Sequence, residues 1–296
     1  MFMQQERADV DCRYNPRAKA QPEPEQPAWQ NVFLPEGDVF RPLTADPKQP
    51  QVFGIIQSTR VLGEKTTNSV ASVAFGENFG FWSRRKESSC DGMQVGLLTG
   101  VFSQFDLLSP ATQLVNTDFV IGIPFSWRME SFSGRVRVYH QSSHLGDQFL
   151  LSNPSVNRVD FSFEEIEAIL SLETPNGWGR VYAGGGYLLH REPSNLDRLK
   201  VQWGAELRGP EVQAPVLGAL LKGGVVITPI IAADFKTFEE LGWAINANIL
   251  GGLEWIKVGS TRRLRLLFSY YNGYNPYGQF FAQKIQNIGF GLYLVF

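Results

Sequence analysis

From Val52 to Phe296 the chain is a succession of strand-like stretches whose residues alternate between apolar and polar, separated by turn signals. About twelve can be counted. The first six are 52–62, 69–83, 92–107, 113–128, 132–143 and 157–173; the second six are 177–191, 198–209, 220–235, 241–257, 261–273 and 280–296. Many exceed the five or six residues usual in globular sheets. Tilted strands crossing a bilayer need about 9–11 residues in hydrocarbon plus extensions beyond it, so length favours a barrel over a sandwich. The last stretch ends on Phe296, with Ile288, Phe290, Leu292 and Leu294 on the same face.

Composition agrees. Aromatic residues make up 13%, with 22 Phe and 29 Gly, and no run approaches the roughly 18 apolar residues of a transmembrane helix. The 27 basic and 29 acidic residues are mixed, so no basic block marks a nucleic-acid partner. The expected fold is all-β: a single transmembrane antiparallel β-barrel of about 12 strands over 52–296. Residues 1–31, with QPEPEQP, read as a disordered Pro-rich segment, and 32–51 as a periplasmic arm at the barrel mouth. Met1–Arg13 lacks the apolar core of a signal peptide. Export to an outer membrane would therefore require a removed leader or a mis-called start. Cys12 and Cys90 make no CxxC or zinc spacing, and whether they pair stays open.

Connections alternate too. Those at 129–131, 174–176 and 258–260 are very short and the one after residue 143 is long, as in barrels with short periplasmic turns and long outer loops. Gly209–Ala219 is a long exception. The Leu145–Val156 loop should share a rim with the loops near Thr66 and Asn275, opposite the termini. Trp82, Trp127, Trp178, Trp203, Trp243 and Trp255 fall near strand ends and suit an interfacial belt. Gly184-Gly185-Gly186 lies inside a strand with no following helix, which suits close packing rather than a phosphate loop.

Chemistry concentrates in Gly134–Arg158. Period-two alternation puts Val136, Val138, His140 and Ser142 on one face and Arg135, Arg137, Tyr139 and Gln141 on the other. In a barrel the arginines enter the lumen, and His140 and Ser142 face lipid, where unpartnered polar groups are costly. A serine becomes nucleophilic when a base takes its proton and a third group orients that base. The following stretch places Asn157, Val159, Phe161 and Phe163 on its apolar face, which would bring Asn157 beside His140 on the outside. The apolar phase then moves to Ile166, Ala168, Leu170 and Leu172, so a bulge is expected near Glu164–Glu165.

Tyr139-His140-Gln141-Ser142, with Asp147 seven residues after the histidine and Asn157-Arg158 opening the next stretch, resembles outer-membrane phospholipase A. The chain's end is also similar to the carboxy-terminal signal of bacterial outer-membrane proteins, in Gly291, Leu294 and the terminal Phe296. The phospholipase resemblance implies a twelve-stranded barrel with Ser142 as nucleophile, His140 as base and Asn157 orienting the imidazole. It implies a calcium ion assisted by Asp147, activity as a homodimer, and a phospholipid or lipid A ester in the outer membrane as substrate. The sequence departs from that family where Ser143-His144 follow the serine and in the longer spacing from Asp147 to Asn157. Asn153 is then an alternative third member, and Asp118 or Asp160 an alternative second calcium ligand. FRPLTADPKQP (40–50) and YHQSSHLGD (139–147) also look like uncharacterised bacterial envelope proteins sharing a domain of unknown function. Other readings are a non-enzymatic structural barrel or narrow pore, a lipid A deacylase, or metal binding by His140, His144 and Asp147. His190, near a strand end, reads as a surface residue.

Overall fold

The computed structural model describes residues 29–86, 89–220, 223–258, 260 and 262–296. Its strands are β1 (Trp29–Phe33), β2 (Val52–Val61), β3 (Thr67–Lys86), β4 (Gly92–Asp106), β5 (Gln113–Met129), β6 (Phe132–Leu145), β7 (Phe161–Glu173), β8 (Gly179–Glu192), β9 (Leu199–Arg208), β10 (Val212–Gln213), β11 (Val225–Phe238), β12 (Asn246–Lys257), β13 (Arg263–Tyr274) and β14 (Lys284–Val295). Every pairing is antiparallel, and β14 pairs with β2 while β3 pairs with β4. Leaving aside β1 and the two-residue β10, these strands close a twelve-stranded barrel. Closure follows from the medium: no strand edge can be left unpaired where water is absent.

Alternation then sorts the side chains. On β14, Ile288, Phe290, Leu292 and Leu294 are exposed outward, while Ile285, Asn287 and Tyr293 are buried inward. On β6, Arg135, Arg137, Tyr139, Gln141 and Ser143 are buried in the lumen. The loop at 146–160 shares its rim with 62–66 and 275–283, opposite β1 and Phe296, and Gln279 bonds both Ser143 O and Val159 O across that rim. The long exception after β9 holds β10 and a short helix, Pro215–Leu220, at the termini rim. Inside β8 a side chain at Gly186 would strike the Glu165 carboxylate, so the glycine run does serve close packing.

Two expectations about the N-terminal part need correction. Residues 1–28 lie outside the described ones, Cys12 among them, but 29–31 belong to β1, which extends the sheet along the far end of β3. More consequentially, residues 38–50 do not pack as an arm at the mouth. They run inside the barrel as a plug. Val39, Phe40, Leu43 and Ala45 are at most 1% exposed. Phe40 sits between the Arg135 and Arg180 guanidiniums, 5.0 and 4.7 Å from its ring centre. The plug backbone is held by lumen side chains: Arg128 Nε donates to Val39 O (2.7 Å), Asn248 Nδ2 to Ala45 O (2.7 Å), and Thr44 N to Glu206 Oε1 (2.7 Å). Its charges are matched as well, Arg41 by Glu173 and Glu206, Asp46 by Lys236, and Lys48 by Asp118 at 2.6 Å. A twelve-stranded lumen is narrow enough for side chains and one chain segment to fill much of it.

Two outcomes follow for the plug. Deleting 34–50 should open measurable conductance in a planar bilayer where the full chain is closed; equal conductance would show that the segment seals nothing. Burial raises the Asp46 carboxyl, but Lys236 and Arg137 outweigh it and hold the pKa at about 2. Being below its unfolded value of about 3.9, this group adds stability above that pH and loses it as the pH falls towards 2. Acid should therefore loosen the plug between about pH 4 and 2, read by protease access to the segment. Asp46→Asn should reduce that pH dependence, leaving the Arg41 pairs to Glu173 and Glu206 and the Lys48 pair to Asp118 in place.

Candidate functional site

The outward face of β6 near the distal rim carries His140, Ser142 and His144 among exposed apolar neighbours. Ile121 and Phe119 of β5 stand opposite His140 and Ser142, and Val138 and Ile166 lie below. The shared face of His140 and Ser142 is as alternation requires.

The partner of His140 is not Asn157. β7 begins only at Phe161, leaving Asn157 exposed in the preceding loop. The register of β6 with β7 sets Glu164 opposite His140 and Ser162 opposite Ser142. Cross-strand pairs share a face, so Glu164 and Ser162 point outward while Phe161 and Phe163, opposite Ser143 and Gln141, point into the lumen. This reverses the faces expected from the apolar residues. The bulge expected in this strand is absent from it; the register shift at Glu164/Glu165 belongs to the β7–β8 ladder, where Glu164 pairs with His190 and Glu165 with Leu188, leaving Leu189 of β8 as the extra residue. The β8 bulge keeps β6 and β7 in unbroken register and turns His190 outward beside Glu164.

The result is a row across three strands, His140–Glu164–His190. His140 Nδ1 lies 2.8 Å from Glu164 Oε1, and His190 Nδ1 lies 2.9 Å from Glu164 Oε2. The histidine and the glutamate are each about two-fifths exposed (39% and 41%), so the pair is reachable from outside. With Nδ1 engaged by the carboxylate, Nε2 of His140 is the nitrogen left for a proton transfer. Among the described residues no hydrogen bond joins Ser142 to His140; such contacts are often long before substrate binds. His190 is therefore more than a surface residue. The signal for Glu164 was present in the sequence, because a glutamate among outward-facing positions of a lipid-exposed strand requires a partner.

The other expected residues separate from this row. Asn153 closes the short helix Asp147–Ser152, its amide donating to Phe149 O. Asp147 is exposed at the start of that helix. Asp118 is buried in the lumen and committed to Lys48, Ser143 and Asn116, and Asp160 is exposed near Arg158. Calcium takes six to eight oxygens, and among the described residues no group of three His, Cys, Asp or Glu side chains could hold a metal. A calcium ion at Asp147 would need backbone, amide or solvent oxygens beside that carboxylate. His144 meets the Phe119 ring edge-on at 5.9 Å.

Comparison with known proteins agrees on architecture. The crystal structure of the Salmonella typhi outer-membrane phospholipase dimer with bound calcium is similar at 14% identity and a TM-score of 0.52, covering 86% of this chain and 94% of that one. Outer-membrane phospholipase A of Escherichia coli is similar at 14% identity over 86% and 93%, TM-score 0.49. The β domain of the Bordetella autotransporter BrkA is similar at 15% over 83% and 98%, TM-score 0.41. At such identities the likeness to the Salmonella structure speaks for the barrel fold alone, the fold of outer-membrane proteins. No curated protein matches the sequence. A family model does match, over residues 19–296, and the chain belongs to that family, described as a protein of unknown function, DUF1207.

Proposed function

We propose that this barrel is a serine acyl-ester hydrolase acting on lipid from its outward face, with Ser142 as nucleophile, His140 as base and Glu164 in the orienting role expected of Asn157. The observation that carries the reading is the 2.8 Å contact from His140 Nδ1 to Glu164, two residues from a serine on the same lipid-facing side. Ser142 Oγ would attack the ester carbonyl while His140 Nε2 takes its proton and returns it to the departing alcohol. Glu164 holds the imidazole in the tautomer that leaves Nε2 free, and it stabilises the imidazolium better than an amide would. A substrate in the outer membrane reaches the row laterally, its acyl chain lying along Phe119, Ile121 and Ile166. The phospholipase is a dimer in the Salmonella typhi structure. A homodimer of this chain would bring two outward patches together and cover the row from lipid.

No step here runs through calcium, since one exposed carboxylate is too few donors. The alternative is a structural barrel. The plug favours it over a pore, because residues 38–50 and their ion pairs occupy much of the lumen. Acyl release from phosphatidylethanolamine and from lipid A in mixed micelles separates the readings and names the lipid.

Ser142→Ala should abolish release, and His140→Ala should lower it by roughly a thousandfold or more, both with the folded barrel kept. Glu164→Ala should cost less than His140→Ala but clearly more than Asn157→Ala, which should leave the rate unchanged. A chelator should have little effect. Release from neither lipid, or full activity in Ser142→Ala, would leave the structural reading standing.

A further inference from the structure

Between the plug and the distal rim the lumen keeps a cavity of about 150 Å³. Barrel interiors are ordinarily polar, yet one side of this one is apolar. Phe161, Phe163, Leu188 and Phe281 line it, with Phe161 stacked on Phe281 at 5.2 Å and set edge-on to Phe163 at 5.8 Å. The opposite side is charged. Arg137, 2% exposed, lines the cavity and lies 4.5 Å over the Tyr139 ring. Its Nη2 donates to Glu167 Oε2 at 2.9 Å, and its Nε lies 2.8 Å from Glu167 Oε1 without hydrogen-bond geometry. Nη1 likewise has no hydrogen-bond partner among the described residues.

Arg135, Arg137 and Lys200 gather on Glu167, with Glu165 also held by Lys200 at 2.5 Å. On Glu165 and Glu167 that is three cations over two carboxylates, while Asp234, which no cation bridges among the described residues, lines the same cavity. The neighbouring acids are already occupied: Asp46 by Lys236, Asp118 by Lys48, and Asp234 by Tyr182 Oη and Gln202 Nε2. A buried guanidinium donor left unpaired is costly, and an ionised acceptor satisfies it best. A cavity of about 150 Å³ is large enough for a benzene-sized body.

We propose that this cavity is a binding site for a small amphipathic carboxylate. The carboxylate accepts from Arg137 Nη1, and a single ring or short chain packs on Phe161, Phe163, Leu188 and Phe281. The site is separate from the outward row and does not depend on its chemistry.

Titration calorimetry of the full chain in detergent micelles, with benzoate and hexanoate as probes and benzyl alcohol and hexanol as neutral counterparts, tests it. Saturable binding of a carboxylate, at least tenfold tighter than its alcohol, is expected. Arg137→Gln should weaken it at least tenfold. Leu188→Trp, which fills the apolar half and leaves the Arg137–Glu167 pair in place, should abolish it at unchanged thermal stability. If Arg137→Gln does not fold, Leu188→Trp decides. No saturable binding, equal affinity for the alcohol, or equal binding by Leu188→Trp would each overturn the proposal, the last by showing uptake into the micelle.

Discussion

Everything in this molecule depends on hydrogen-bonding the backbone where there is no water to do it. In hydrocarbon an unpaired N–H or C=O costs several kcal/mol, so the sheet must close, and here β14 meets β2 along ten residue pairs. Once closed, a strand has only two faces. Each side chain is committed to lipid or lumen by the parity of its position. Outward positions therefore collect Phe290, Leu292 and Ile121, and inward ones collect Arg135, Arg137 and Glu167.

An inward face full of charge poses its own difficulty, and the plug is part of its solution. Buried ion pairs contribute little net stability, but removing one partner costs about 3–5 kcal/mol, because a lone buried charge remains. Glu254 answers Arg208, Arg263 and Arg265, and Glu173 answers Arg41, Arg128 and Arg180. Arg41 comes from the plug, as do Asp46 and Lys48. The segment thus completes the lumen's charge pairing, while Phe40 and Leu43 fill space between the cations.

Much of this was legible in the sequence, because parity is local. The twelve strands, the lipid face of β14, the lumenal arginines of β6 and the shared side of His140 and Ser142 all follow from period two. The plug was not legible. FRPLTADPKQP has no periodicity, and its partners are Glu206, Asn248 and Lys236, roughly 160 to 200 residues away. The faces of β7 were misread for a related reason. Apolar character marks the lipid side of the other strands, and by that mark Phe161 and Phe163 belong outward. Register decides instead, and it is fixed by the run from Glu165 to Glu173, whose alternation is unambiguous. That run forces Phe161 into the lumen and Glu164 out. Asn157 went wrong with them, because its assignment rested on the same phase.

The inversion links the two sites. Tyr139 and Phe163 line the cavity, while their neighbours His140 and Glu164 form the row outside, so one layer of backbone separates an apolar pocket from a polar patch. The bulge at Leu189 reconciles them. Were Leu189 paired in register, β8 would present Leu188 and His190 on one side, and either the pocket would lose a wall or Glu164 its second imidazole. With Leu189 bulged out of the ladder, Leu188 points inward against Glu165 and His190 outward against Glu164. Parity distributes chemistry between lumen and lipid along the strands; at this rim a single change of phase lets both faces depart from their usual character at the same height.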